Sequence, residues 1–363
     1  VVRSRGLGDV YKRQHLMYPG DFNIIDAFGG ILGFAGPGLD AAAAADLSYS
    51  EGYTYWTDFL FQGMFAATAG TIISGAVAGR IKINAFMLIV FLYVLIVYPI
   101  VGSWQWGGGF LSTFTDEVGF YDFAGSTLVH SVGGWGGLVI IYLLGARKGK
   151  FDSSGKAVAI PGSNIPLSAA GVLILWLGWF GFNGGSVLSA DPANTSLVLV
   201  TTCLAAAAGG LGASFLSTLM YKNLDITMFM NGVLGGLVGI TAGADQMGPT
   251  SAIIIGAIGG AVVVLGVALL DKCKLDDPVG AIPVHLFAGI WGTLAVGLFG
   301  ASAGFDQFMV QLASTGIVGV FCVIGASIIA LIVKSIMGLR VSDEEEEIGL
   351  DISEHGTKAY FSS

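Results

Sequence analysis

Two of the four histidines in this 363-residue chain, His130 and His285, lie inside long apolar stretches. Each has an aspartate eight residues before it, a valine directly before it and a glycine four residues after it; the two aspartates are Asp122 and Asp277. A context that occurs twice indicates an internal repeat. Ionisable side chains in apolar spans usually line a cavity or a pathway. The repeat therefore favours a functional histidine pair over lone neutral histidines that each hydrogen-bond a neighbouring helix.

The chemistry open to such a pair is limited. Two neighbouring imidazoles share protons as a coupled unit, and an apolar site disfavours charging both together. This lining suits a small, largely neutral molecule or a proton relay. It lacks the polar anchors that a sugar or an amino acid needs. Asp122 and Asp277 are expected to cap the starts of their helices, as structural supports first and as ligands of the permeant second.

The composition indicates that membrane helices position these side chains. Hydrophobic residues make up 54% of the chain and charged residues 11%, too few to cover a soluble protein of this size. The 57 glycines predict close contacts between helices in lipid. The net charge is −9 and no basic patch suits a nucleic acid. The three scattered cysteines form no metal-ligand cluster, so neither a metal nor another cofactor is expected.

Nine apolar runs approach the roughly 20 residues needed to cross about 30 Å of hydrocarbon. The chain is therefore predicted to be an all-α polytopic membrane protein. Every Lys and Arg after residue 14 lies at or after the end of an odd-numbered run, so the positive-inside rule places the C-terminus in the cytoplasm. The two histidine-containing runs then cross in opposite directions, as in an inverted repeat with a site near the midplane. The predicted spans are residues 59–79, 85–103, 121–145, 165–187, 196–220, 226–244, 250–270, 279–301 and 308–336.

The charge pattern divides the chain into four segments. Residues 1–14 carry four basic residues and one acidic residue, a net charge of +3, and do not begin with Met. We interpret them as a foreign or mistranslated leader, with a genuine basic tail as the alternative. Residues 15–58 are predicted to be an extracellular or periplasmic segment, and residues 59–337 the transmembrane domain. Residues 338–363 are predicted to be an acidic cytoplasmic tail.

Three aromatic groups with polar neighbours lie near the outer ends of predicted spans, at residues 61–65, 104–109 and 179–186. Together with the acidic outer loops, their ring faces are suited to hold a cation, with about 0.5–2 kcal/mol from each contact. On composition alone, the aromatic belt found at membrane interfaces is the simpler interpretation.

Taken together, these motifs resemble the ammonium transporter family (Amt, with the Mep and Rhesus proteins as relatives) over about residues 20–361. The resemblance implies an eleven-helix inverted-repeat fold, of which nine transmembrane helices are recognisable here, and hence an N-terminally truncated chain. It rests on Asp-Phe-Ala-Gly (122–125) with His130, Gly-Trp-Phe-Gly-Phe-Asn (178–183), Asp-Asp-Pro (276–278) with His285, Gly-Leu-Arg-Val (338–341) and Gly-Leu-Asp (349–351).

The resemblance also implies an outer ammonium-binding site. Trp106 and Phe65 match its cation–π residues, and Ser186 matches its hydrogen-bonding residue. Phe65 and Phe182 match a stacked phenyl gate below that site. Retention of the outer residues resembles Amt proteins more than Rhesus proteins.

Below the gate, His130 and His285 match the family's twin-histidine pair, which the resemblance implies is the pore and proton relay. Asp122 matches an acidic residue needed for conduction, and Asp277 is its structural counterpart in the other repeat. In the family picture, ammonium loses its proton near the gate, ammonia crosses the apolar pore, and the proton crosses separately along the histidines.

The expected function is therefore ammonium transport through the lipid bilayer of the plasma (inner) membrane, not enzyme catalysis. The resemblance implies a homotrimer with one pore per subunit, and the PII signalling protein as a regulatory partner at the cytoplasmic face. One alternative is an ammonium sensor that signals through its tail. Another is a membrane enzyme with a histidine-bound metal, although such a metal needs more ligands than two histidines.

Overall fold

The computed structural model describes residues 15–36, 53–115 and 117–360. The predicted leader, residues 1–14, lies outside them. The described part of the chain is helical, and its β-type pairing is confined to three isolated bridges.

In the described part of the chain nine helices form the bundle, and each overlaps one predicted span. Seven are long and apolar enough to cross a membrane, and α6 and α8 are shorter apolar helices. The prediction of nine apolar helices is confirmed. The helices are α1 Tyr55–Val77, α2 Ile83–Ser103, α3 Ser126–Leu144, α4 Ile165–Gly185, α5 Pro192–Tyr221, α6 Ile226–Thr241, α7 Pro249–Lys272, α8 Pro283–Phe299 and α9 Phe305–Met337. Two short helices, α10 Asp343–Ile348 and α11 Leu350–Ser353, follow in the tail.

The predicted spans 121–145 and 279–301 begin several residues before the helices observed there. Gly125, with φ of 104°, stands directly before α3, and Gly280, with φ of 76°, stands just before α8. These are left-handed conformations, which glycine adopts without strain and which interrupt a helix. Gly125 lies within the apolar run 121–145, so hydrophobicity alone could not locate that break, whereas Gly280 closely follows the polar segment Asp-Asp-Pro (276–278).

An aspartate accepts hydrogen bonds from the first N–H groups of each broken helix. The Asp122 carboxylate accepts from the N–H groups of Gly125, Ser126, Thr127 and Leu128 at 2.8–2.9 Å. The Asp277 carboxylate accepts from those of Gly280 at 3.1 Å and Ile282 at 2.7 Å. A carboxylate in this position satisfies donors that no helical carbonyl can reach and complements the helix dipole.

Both helices then begin with a π-helical turn that carries a histidine. The turns are Ser126–Ser131 with His130 and Pro283–Phe287 with His285. Such turns widen a helix locally and are common at functional sites. Aspartate, left-handed glycine, π turn and histidine thus occur in the same order twice.

Helices α5, α6 and α7 approach one another through glycines. A Cβ on Gly260 would collide with the carbonyl oxygen of Gly209, and one on Gly236 would collide with that of Ala205. Because these glycines have no side chain, the helix backbones contact each other directly, as is typical of helices that associate in lipid.

Among the described residues, several basic side chains lie at the end of the bundle where α1, α3 and α9 finish. There Arg80, with 0% of its surface exposed, donates to the backbone oxygens of Gly145 at 2.9 Å and Asp276 at 2.6 Å. Arg147 forms a two-pronged contact with the Asp276 carboxylate at 2.8 and 2.9 Å. The tail joins this network through Arg340, which donates to the Ala146 oxygen at 2.7 Å and pairs with Glu346.

Candidate functional site

The two repeat histidines meet in the interior. The Nδ1 atoms of His130 and His285 lie 3.2 Å apart, and their ring centroids are 5.2 Å apart at an interplanar angle of 21°. Because one Nδ1 must donate and the other accept, a single proton lies between the rings. The His130 side chain is fully buried, and its Nε2 has no hydrogen-bond partner among the described residues.

Aromatic rings continue from this pair in a column. Phe182 stacks on His130 at a centroid distance of 5.3 Å, and Phe65 stacks on Phe182 at 4.1 Å and 19°. Trp106 then meets Phe65 edge to face at 6.0 Å. Two neighbouring phenyl rings so closely stacked leave no room between them for a hydrated ion.

Trp179 packs against the side of this column, 5.0 Å from the His130 ring and nearly parallel to it. Its indole N–H donates to the Thr241 hydroxyl at 2.9 Å. The indole therefore has a fixed orientation, and it holds the His130 imidazole in one plane.

A cavity of about 280 Å³ lies on the Trp106 side of the phenyl stack, and we call it the vestibule. The Trp106 indole N–H donates to the Asp122 backbone oxygen at 2.9 Å, which holds the ring in place. The Ser186 hydroxyl donates to the Phe182 backbone oxygen at 2.9 Å, so its lone pairs are left to accept. The vestibule is lined by Tyr18, Tyr53, Asp58, Phe61, Gln62, Phe65, Trp106, Phe123, Ser186 and Leu188.

A second cavity of about 500 Å³ lies on the histidine side of the stack. Its walls are mainly apolar, and His130 and His285 supply its ionisable groups. Such a cavity solvates a small neutral molecule better than an ion. The remaining lining residues are Thr68, Thr71, Ile72, Gly75, Ile174, Leu175, Gly178, Trp179, Phe182, Asn231, Leu234, Val279, Ala281 and Val284.

The structure brings most of the residues singled out in the sequence into one column, but not all of them. Phe65, Phe182, His130 and His285 are in ring contact, and Trp106 and Ser186 line the vestibule. The carboxylates of Asp122 and Asp277 instead point at their own helix starts.

Sequence reasoning assigned no role to Asp58 or Tyr18 of the vestibule, and it included Gln62 only as a member of the aromatic group at residues 61–65. The Gln62 amide donates to the Tyr18 hydroxyl at 2.6 Å. A signal for two of them exists, because residues 58, 61, 62 and 65 follow helical i, i+3, i+4, i+7 spacing and so share one face of α1. Tyr18 lies far away in sequence, and nothing local connects it to this face.

The fold and the site together define a class: a multi-pass membrane protein with two cavities separated by a stacked pair of phenyl rings. A model of the Ammonium Transporter Family matches residues 16–360. The chain belongs to the ammonium transporter family. It is a membrane transporter and not an enzyme.

Individual relatives agree with this assignment. A putative ammonium transporter of Synechocystis is 42% identical over 90% of this chain and 73% of its own length. The ammonium transporter Amt2 of Archaeoglobus fulgidus is 40% identical over 93% of this chain and 80% of its own. Among solved structures, a sensor Amt protein has a TM-score of 0.87 at 32% identity, over 97% of this chain and 87% of that one. Mep2 of Candida albicans has a TM-score of 0.80 at 25% identity, over 96% of this chain and 79% of that one.

Proposed function

We propose that this chain carries ammonium across the membrane by separating it into ammonia and a proton. Ammonium binds in the vestibule between the rings of Trp106 and Phe65, with the Ser186 hydroxyl as acceptor. Its proton is lost at the Phe65–Phe182 gate, because the next cavity is too apolar for an ion. Ammonia crosses that cavity.

The proton takes a separate path along the histidine pair, supported by Asp122, which shapes the start of α3. The observation that carries this proposal is the 3.2 Å contact between the Nδ1 atoms of His130 and His285, directly below the stacked rings. A proton held between two imidazoles can be passed on by tautomer exchange without leaving either ring charged. Asp277 supports the second histidine by shaping the start of α8.

Ammonium-induced current through the chain in proteoliposomes on a supported membrane tests the proposal. We expect a current that saturates with ammonium and is absent with sodium. Current with neither cation would contradict transport and favour a sensor, which we do not otherwise favour because the matched relatives from Synechocystis and Archaeoglobus are named transporters.

We further propose an oligomeric state, a membrane location and a regulatory partner for the chain. The chain is a homotrimer with one pore per subunit, in the plasma (inner) membrane, with segment 15–58 outside and tail 338–363 in the cytoplasm. The tail packs on the basic end of the bundle, where Arg340 donates to the Ala146 oxygen and Lys148 pairs with Glu347, and this is the surface at which we propose that the PII signalling protein acts. Chemical crosslinking and pull-down with a PII protein test the trimer and the partner separately.

A further inference from the structure

One face of α1 runs along the vestibule down to the phenyl gate. Asp58, Phe61, Gln62 and Phe65 all line the vestibule, and helical geometry puts them on one stripe of α1. At a rise of about 1.5 Å per residue, Asp58 lies about 10 Å above Phe65 along the helix axis. The stripe therefore passes from a carboxylate, over an amide, to the aromatic rings.

The polar atoms of this stripe are suited to a cation. Asp58 has only 6% of its surface exposed and is the one charged side chain among the described residues that line the vestibule. The Gln62 side chain is 8% exposed; its amide N–H group is bound to Tyr18, and its Oε1 has no hydrogen-bond partner among the described residues. An ammonium ion has four N–H donors and no acceptor, so an unpartnered buried oxygen matches it.

We propose that Asp58 and Gln62 form an entry site for ammonium, above the aromatic site and continuous with it. The Asp58 carboxylate attracts the cation into the vestibule, and the Gln62 Oε1 accepts a hydrogen bond from it on the way to Phe65 and Trp106. Asp58 thereby sets the apparent affinity for the charged form of the substrate. This inference rests on the proposed transport function and adds residues to its first step.

The expected size follows from Coulomb attraction. A carboxylate about 10 Å from a cation, at an effective dielectric constant of about 20, raises the cation's occupancy on the order of tenfold. Salt weakens such an attraction, since the Debye length shrinks from about 30 Å at 0.01 M to about 8 Å at 0.15 M. The carboxylate should therefore change KM for ammonium, and change it most at low ionic strength.

The test compares ammonium-induced currents of the wild-type chain and Asp58→Asn at low and at physiological ionic strength. We expect the KM of Asp58→Asn to rise about tenfold at low salt with little change in maximal current, and its salt dependence to flatten. Asp58→Glu should restore most of the wild-type KM. The matched control is Asp306→Asn, which removes the same charge from an exposed position in the first turn of α9 outside the vestibule lining.

A wild-type KM in folded Asp58→Asn at low salt would overturn the entry site while leaving transport intact. Absence of current in the wild-type chain would contradict the proposed transport function itself. If Asp58→Asn does not fold, Gln62→Glu tests the same idea in the opposite direction. The added carboxylate lies one turn nearer the rings and should lower KM several-fold; an unchanged or higher KM would overturn the proposal.

Discussion

The sharpest stability prediction concerns Asp276, at the basic end of the bundle. Its side chain is buried and accepts hydrogen bonds from the Arg147 guanidinium at 2.8 and 2.9 Å and from the Arg147 backbone N–H at 2.8 Å. It also lies 4.0 Å from the fully buried Arg80. Burial alone would raise the pKa of Asp276. The hydrogen bonds and charge of Arg147, together with the charge of Arg80, outweigh burial, so the pKa of Asp276 is lowered.

We expect Asp276→Asn to destabilise the protein by about 3 kcal/mol, since removing one partner of a buried pair leaves an uncompensated charge. That charge is Arg80, whose pKa burial already lowers to about 10 despite Asp276. The matched control is Asp271→Asn, which breaks the more exposed pair with Lys150 and should cost less than about 1 kcal/mol.

Thermal unfolding in detergent, followed by tryptophan fluorescence, measures both variants. For a chain of this size we expect Asp276→Asn to lower the Tm by several degrees and Asp271→Asn by a degree or two. Equal shifts would refute the reasoning, because they would show that burial adds nothing to the Asp276 pair.

The same unfolding experiment, repeated as a function of pH, gives a second test. A carboxyl whose pKa is lower in the folded than in the unfolded state contributes its full stability above the unfolded pKa of about 3.9 and loses it as pH falls through the folded pKa. Wild-type stability should therefore fall faster than that of Asp276→Asn below about pH 4. Parallel curves would contradict the role of this carboxyl.

Three further predictions concern transport and packing. The double change His130→Ala with His285→Ala should alter the selectivity between ammonium and alkali cations, measured as relative currents; unchanged selectivity would remove the histidines from the mechanism. Trp106→Leu should raise the KM for ammonium about two- to thirtyfold, since it removes a cation–π contact of about 0.5–2 kcal/mol; a wild-type KM would argue against a cation on that ring. Gly260→Ala should lower the Tm sharply, because the added Cβ would collide with the α5 backbone. Gly316→Ala should leave the Tm nearly unchanged, because nothing lies within 4 Å of a Cβ there. Similar Tm values for the two variants would contradict close packing of the helices.

Much of the fold was predictable because a helix that crosses a membrane needs a long run of apolar residues, and such runs are visible in the sequence. All nine apolar runs correspond to helices, since a backbone in lipid must satisfy its own hydrogen bonds. The starts of α3 and α8 were not predictable from hydropathy. Gly125 and Gly280 break the helix through their left-handed backbone conformation, which hydropathy does not report.

The candidate site was likewise predictable only in part. His130 and His285 could be paired from sequence because their contexts repeat. The vestibule role of Tyr18 could not be predicted, since Tyr18 reaches the Gln62 amide across 44 positions of sequence, whereas the helical spacing of Asp58, Gln62 and Phe65 was already a signal for the face that they share.

By itself, the sequence determined the membrane environment, the helix inventory, the repeat and the identity of the ionisable residues within the spans. These are properties of local composition and spacing. Only the tertiary structure decided that two imidazoles separated by 155 positions stand 3.2 Å apart, that Phe65 from α1 covers Phe182 from α4, and that Arg80 shares Asp276 with Arg147. Contacts of this kind depend on how helices pack, and helix packing in lipid is set by close fit of small residues and by a few buried hydrogen bonds, which no single segment encodes alone.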